Sequence, residues 1–444
     1  MTTAPSAQPA AGPESPDVAP LSRNRDFVLL WVGAAATALG TRVSGIAYPL
    51  LVIWTTGSAS SAGLVGFAAL LPNLLVQMHA GALVDRFDRR RMMILCDVGS
   101  LLATGAVAAS VVAGHVWIWL LMAAAFVQGS LSIFYRLAER AGVRHLVPAA
   151  QLPKAMSANE ARTQAAGLLG QPGGSVLYAV ARSAPFALAT AAHAVSLFSL
   201  LLIRKNFQDE RPQQPGNITA ELREGLSWTW GQRFLRFGML LLSGSNLLFQ
   251  VLSLALILIL KDHGSSAALV GVITAVSGLG GMLGALTGSW WIRRFGLRAL
   301  LIGGSIGWAL LMPLVGLTGN PLLLGLIFLG AAMIGSVTNV AGGIYQVTVT
   351  PDRLQGRAGA AMGLIATGAS SLGTFAGGFA LEHFGTGTTV FGAASVMGLI
   401  ALSSFLLPAA ALPEQAGPSA QPSPHPTMTD TRPEEPEGRK KGTT

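Results

Sequence analysis

Charged and titratable side chains are scarce in the long apolar runs of this sequence, so each one found there is a candidate for chemistry. Arg42, His79, Asp97, Glu160, Arg162 and His193 all stand among stretches dominated by Ala, Leu, Val and Gly. If such a run crosses a bilayer, a charge at its centre costs roughly 2.5–3.5 kcal/mol even on the lenient insertion scale, so a charge kept there points to function. Arg42 suits either binding of an electronegative group or tuning of a nearby acid; the alternative is a helix-end arginine bonded to carbonyls. Asp97, shortly after Arg91, suits either proton coupling or a salt bridge to the preceding basic turn. Glu160 is a second candidate for proton coupling, and with Arg162 it is placed to pair with Arg140 or Glu139. His79 and His193 titrate near neutral pH unless they are hydrogen-bonded core residues. Tyr48, Gln128, Tyr135, Asn246, Gln250, Asn339 and Gln346 offer hydrogen bonds, either to a ligand or between helices, where each is worth about 0.6 kcal/mol.

Other chemistries are excluded by what the sequence lacks. The phosphate loop GxxxxGK[ST] and the zinc signature HExxH are absent, and the only cysteine, Cys96, lies in an apolar run. No enzyme, no cofactor and no metal is expected, and any energy for work must come from outside the chain.

The elements that position these residues follow from composition. Charged residues are 11% of the 444 and hydrophobic ones 51%, with 54 glycines, against roughly a quarter charged in soluble domains. Runs of about 20 apolar residues cross a bilayer as helices because every backbone polar group is satisfied within the run. Twelve such spans are expected, near 27–53, 62–84, 92–113, 116–136, 160–181, 184–204, 236–260, 267–292, 299–317, 321–350, 357–381 and 386–408. SSAGLVG at 60–66 returns as SSAALVG at 265–271, and VPAAQLPKA at 147–155 is answered by TPDRLQGRA at 350–358. A single duplication of roughly 200 residues in an apolar chain indicates paired membrane bundles. The expected organisation is a disordered tail over 1–21, a six-helix bundle over 22–204, a connector over 205–235, a second six-helix bundle over 236–408 and a disordered tail over 409–444. Within the connector, Thr219 as a cap, Glu221 in the first turn and Leu222 and Leu226 on one side suggest an interfacial helix.

The net charge of +9 does not indicate nucleic acid, because the basic residues sort by side. Arg86, Arg89, Arg90, Arg91, Arg140, Arg144, Lys154, Arg293, Arg294, Arg298, Arg353 and Arg357 fall in alternate turns, and the remaining turns carry only Arg182 and Lys261. Short loops rich in Lys and Arg stay in the cytoplasm, so both termini and the connector are expected there.

The sharpest local motif is GALVDRFDRR, Gly81 to Arg90. Asp85 ends its own helix, where the dipole disfavours a carboxylate, so it should be directed at the N-terminus of another helix, which favours it by about 0.3–1 kcal/mol. This stretch resembles the loop signature between helices 2 and 3 of the major facilitator superfamily. TRVSGIAYPLLV, LLPNLL, HLVPAAQLPKAMSANEAR and ITAELREGLSWTW are similar to the bacterial macrolide and enterobactin exporters of that superfamily. The resemblance implies an all-α membrane protein, two pseudo-symmetric bundles of six helices about a central cavity. It implies a conformational latch of Gly81, Asp85, Arg86 and Arg90 docking on a helix that starts near Gln355–Arg357. It further implies that Arg42, Tyr48, Gln128, Tyr135, Asn246, Gln250, Asn339 and Gln346 line the cavity.

The chain departs from the family at two places. Thr41 stands where an acid is common, and Gly170, Pro172, Gly173 and Gly174 are shifted relative to the usual antiport string; as residues they make a kink or packing seam. Gly280, Gly284 and Gly288 repeat every four residues and suit close helix packing. The expected activity is proton-coupled efflux of a lipophilic, neutral or weakly anionic small molecule by a monomer in the bacterial cytoplasmic membrane. Its partners are the substrate, protons and the lipid bilayer, with no nucleic acid; import is the alternative, and a non-transporting receptor a more distant one.

Overall fold

In a computed structural model, the described residues are 20–203, 205, 207 and 218–407, apart from the side chains of 78, 82, 85 and 218–222. The expected tails and the Thr219, Glu221 and Leu222 side chains lie outside them.

The first half consists of α1 (Arg25–Thr56), α2 (Ala59–Leu75), α3 (Gln77–Arg86), α4 (Arg89–Val112), α5 (Ile118–Leu146), α6 (Leu152–Val180) and α7 (Ala184–Leu202). A separate helix α8 (Ile218–Gly231) lies in the connector. The second half consists of α9 (Arg233–Asp262), α10 (Ala267–Phe295), α11 (Leu297–Leu317), α12 (Pro321–Val349), α13 (Gln355–Phe384) and α14 (Thr386–Ser404). Among the described residues, ten helices are long and apolar enough to cross a membrane. Two further stretches, α2 with α3 and the 29-residue α6, are of comparable length, and the arrangement is consistent with the twelve spans expected. The second span, expected as one helix, is broken at Val76, four residues after Pro72, whose ring and missing N–H disturb the ladder.

Helix ends are written in the local sequence. Asn24 caps α1 by accepting from the Phe27 nitrogen at 3.1 Å, and α1 stops at Gly57, whose φ of 75° only glycine adopts without strain. Ser58 then opens α2 and Asp88 opens α4, each side chain accepting from the third residue along.

The core is divided unequally between the two ends of the molecule. At the end away from the arginine-rich turns, one continuous cluster joins both halves, from Leu50–Ile53 of α1 and Ala59–Val65 of α2 to Leu252–Leu260 of α9 and Ala267–Ile273 of α10. At the basic end the cores are separate. One holds Leu30, Met93, Tyr135 and Leu146 of the first half, and the other Phe234, Leu301, Ala341 and Tyr345 of the second. Among the described residues the halves therefore share one core at one end and have separate cores at the other.

The repeated heptapeptides form the seam of the sealed end. A Cβ on Gly63 would lie 2.8 Å from the Gly378 Cα, so α2 and α13 cross with no room for a side chain. Gly271, the last residue of the second heptapeptide, meets α6 in the same way, with a Cβ there only 2.8 Å from the Pro172 oxygen and 2.9 Å from the Ser175 Cβ. Gly280, Gly284 and Gly288 lie against Leu329, Met333 and Val340 of α12, the close packing that their spacing suggests.

Candidate functional site

Asp97 is fully buried in the first bundle, yet no arginine or lysine reaches it among the described residues. Its Oδ1 accepts from the Thr37 hydroxyl of α1 at 2.9 Å and meets His193 Nδ1 of α7 at 3.1 Å. Its Oδ2 accepts from the Ser196 hydroxyl at 2.6 Å, and the Tyr135 hydroxyl of α5 continues the chain to Ser196 at 3.0 Å. Four helices thus converge on one carboxylate. His193 Nε2 is buried and has no hydrogen-bond partner. The carboxylate and the imidazole thus meet in an apolar interior with hydroxyl groups as their other partners, and one ring nitrogen of the imidazole faces no partner. The alternative pairing of Asp97 with the basic turn does not occur. His193 was legible only as a lone histidine; its three-residue spacing from Ser196 on one helix face is the signal that could have joined it to a polar partner.

The other acid proposed for proton coupling, Glu160, is exposed and accepts from Gln164 at 2.9 Å on its own helix. Its neighbour Arg162 turns inward to Glu139, 2.8 Å away, and both are buried. His79 is exposed and bonds the Leu75 oxygen of the preceding turn. Thr41 bonds the Thr37 oxygen at 2.8 Å, so its hydroxyl is satisfied within α1.

Within the motif at Gly81–Arg90, Asp88 and Arg90 fasten helix ends. Asp88 caps α4 by accepting from the Arg91 nitrogen at 2.7 Å. Arg90 donates to the Leu200 and Leu201 oxygens, both at 3.1 Å, at the negative C-terminal end of α7. Arg86 is exposed, a Cβ on Gly81 would meet open space, and the Asp85 side chain lies outside the described residues. The helix expected to receive Asp85 does begin at Gln355, but its Arg357 is paired with Glu224 of α8.

At the sealed end the second half reaches across to both sides of the α1–α2 turn. Lys261 Nζ donates to the Ile53 oxygen at 2.6 Å, in the last turn of α1. Glu382 Oε2 accepts from the Ala59 nitrogen at 2.6 Å and the Ser60 nitrogen at 3.2 Å, at the first turn of α2. A cation therefore meets a helix C-terminus and a carboxylate meets a helix N-terminus, each the sign its dipole favours. The sequence showed Lys261 only as a stray charge on the sparse side, and nothing local marked Glu382.

Of the residues expected along the cavity, the structure separates two groups. Arg42, Asn246 and Asn339 are exposed and Gln250 and Gln346 half-exposed, although their helices run through the interior of the assembly. Tyr48, Gln128 and Tyr135 correct the expectation: they are 2%, 4% and 4% exposed and bond within the first bundle. Gln128 exchanges hydrogen bonds with Ser44 and lies 3.4 Å from the Tyr48 hydroxyl. A polar side chain in an apolar interior takes the nearest partner on an adjacent helix, and that partner was invisible in one dimension. Gly170, Pro172 and Gly174 form a packing seam within an unbroken α6. Gly174 packs on Val43, where a Cβ would lie 2.6 Å from the backbone oxygen, and Gly170 packs on Arg42, while Gly173 faces open space. No group of three His, Cys, Asp or Glu side chains that could hold a metal occurs among the described residues.

Comparison with known proteins places these features in a family. Residues 15–434 match the MFS family model described as transmembrane secretion effector. The chain is similar to the multidrug efflux pump Tap of Mycolicibacterium fortuitum, 27% identical over 396 residues, covering 86% of this chain and 96% of that one. It is similar to macrolide efflux protein A of Streptococcus pyogenes, 25% identical over 288 residues, 63% of this chain and 70% of that one. Its fold is similar to the crystal structure of the nucleoside transporter NupG, with a TM-score of 0.68 at 12% identity, covering 86% of this chain and 98% of that one.

Proposed function

The chain belongs to the transmembrane secretion effectors of the major facilitator superfamily, and from that premise we propose that it exports a lipophilic small molecule by alternating access, driven by protons. It is a transporter and not an enzyme. The observation that carries the reading is the uneven core: an apolar plug shared by both bundles at one end and separate cores at the other, with Arg42, Asn246 and Asn339 exposed at mid-helix depth. Such a form offers its central site to the side of the basic turns. By the rule that short Lys- and Arg-rich loops stay inside, that side is the cytoplasm, with both chain ends on it, and the conformation faces inward. The export direction is supported by the efflux relatives.

The energy source is the proton gradient, and Asp97 with His193 is the site that carries the proton. Each proton moving with the potential contributes about 2.3 kcal/mol per 100 mV, which sustains roughly a fifty-fold substrate gradient at one-to-one exchange. The working unit is a monomer in the bacterial cytoplasmic membrane. The latch of Asp85 belongs to the opposite, outward-facing state, in which α3 approaches the start of α13; α8, held by Glu224 to Arg357, stands at that helix start in the inward-facing form.

Reconstitution in energised vesicles tests the proposal with a panel of lipophilic compounds, with and without a protonophore. Accumulation on the side of the connector that collapses with the protonophore would replace export by import. Transport indifferent to the protonophore would remove the proton as driver.

A further inference from the structure

We infer that the inner half of the cavity is an anion-binding ladder in which Arg136 is the central rung, so that the substrate carries an acidic group. This rests on the transport reading above and narrows its substrate class. Arg136 and Arg140 are four residues apart on α5 and therefore share one helix face, and both are exposed. Arg42 on α1 is exposed too, and its charge and that of Arg140 are the charges that act on Arg136. By the helix rise, Arg140 lies about 9 Å and Arg136 about 15 Å from the end of α5, with Arg42 at the midpoint of α1. The three guanidinium groups thus lead from the basic mouth to mid-membrane depth.

Among the described residues no carboxylate pairs with any of the three. The nearest carboxylate along α5, Glu139, turns to the other face and is held at 2.8 Å by the buried Arg162. Asp97 is enclosed by Thr37, His193 and Ser196. Arg42 and Arg136 make no hydrogen bond or ion pair among the described residues. Structural arginines in this chain look different: Arg90 is spent on two carbonyl oxygens and Arg162 on a carboxylate. Intramembrane charges that are neither paired nor at a helix end mark a substrate path. Planar guanidinium groups in a low-dielectric cleft select carboxylate or phosphate oxygens and repel cations. In the second half the exposed residues at mid-helix depth on α9 and α12 include the neutral amides of Asn246 and Asn339, so a lipophilic body with one anionic group fits the arginines of the first half.

The test uses the full-length protein in a neutral maltoside detergent and three fluorescent probes of one shape, pyrenebutyrate, pyrenebutanol and pyrenebutylammonium, with saturable binding read by energy transfer from tryptophan. Pyrenebutyrate should bind at least ten-fold more tightly than the alcohol, the ammonium should show no saturable binding, and added salt should weaken only the acid. Arg136→Gln should weaken pyrenebutyrate five-fold or more and leave the alcohol unchanged, while Arg136→Lys, which keeps the charge, should retain most of the affinity and guards against misfolding. Equal affinity of the three probes, or an Arg136→Gln protein that binds the acid as the parent does, overturns the inference. Selective acid binding without protonophore-sensitive transport in vesicles would instead count against the transport reading and leave the anion site standing.

Discussion

The Glu382 carboxylate accepts a hydrogen bond from the Ala59 nitrogen at 2.6 Å, joining residues 323 positions apart across the two bundles. With Ser60 on the same oxygen and Ser61 on the Ser58 hydroxyl, the first free amides of α2 are satisfied, two of them by the other half of the protein. Lys261 makes the complementary contact with α1. In the alternating access proposed above, these bonds hold the sealed end closed and so bias the balance between the two states.

Removing the charge at either contact should open that end. A carboxylate at a helix N-terminus is worth about 0.3–1 kcal/mol, so Glu382→Gln should raise the population of the outward-facing state about 2- to 5-fold. Labelling of Val65→Cys by a membrane-impermeant maleimide reads this directly, because the single native cysteine, Cys96, is buried. An unchanged labelling rate would show that the contact does not govern the gate.

Packing at the same seam makes a sterically independent prediction. A Cβ on Gly378 would lie 2.6 Å from the Ala59 oxygen and 2.7 Å from the Gly63 Cα, with backbone on both sides and nothing flexible to yield. Gly378→Ala should force α2 and α13 apart at a cost of about 1–3 kcal/mol and increase the same labelling, whereas Gly387→Ala, which meets open space, should not.

Asp97→Asn preserves shape and removes the titratable proton. Exchange of substrate across vesicles with no gradient should survive in this variant, while accumulation driven by an imposed pH step should be lost. His193→Gln should weaken the pH dependence without abolishing exchange. A parental response of Asp97→Asn to the pH step would place the proton elsewhere, with exposed Glu160 the next acid to examine.

Glu139 and Arg162 are a buried pair, 2.8 Å apart, with side chains 8% and 6% exposed. Glu139→Gln strands a buried guanidinium and should cost about 3–5 kcal/mol, seen as a large fall in melting temperature in detergent. The double variant Glu139→Gln with Arg162→Met should recover much of the loss, since the stranded charge is then gone. A double variant no more stable than the single one would deny the pair its structural role.

What the sequence alone determined is the part of this protein that depends on composition and period. Apolar runs of membrane length, a basic bias in alternate turns and two copies of a heptapeptide are local or additive properties, and they led to paired helical bundles of the family to which the chain belongs. Even the repeat had structural content, since Gly63 and Gly271 sit at the two crossings that seal one end. Tertiary structure alone decided which polar groups meet. Tyr48, Gln128 and Tyr135 resembled cavity residues because their spans and types suited it, but each is consumed by a neighbouring helix. Asp97 and His193, and Glu382 and Ala59, lie 96 and 323 residues apart. An apolar solvent obliges each polar group to find a partner within a few ångströms, while helix rotation and crossing, set by all the side chains together, choose which partner that is.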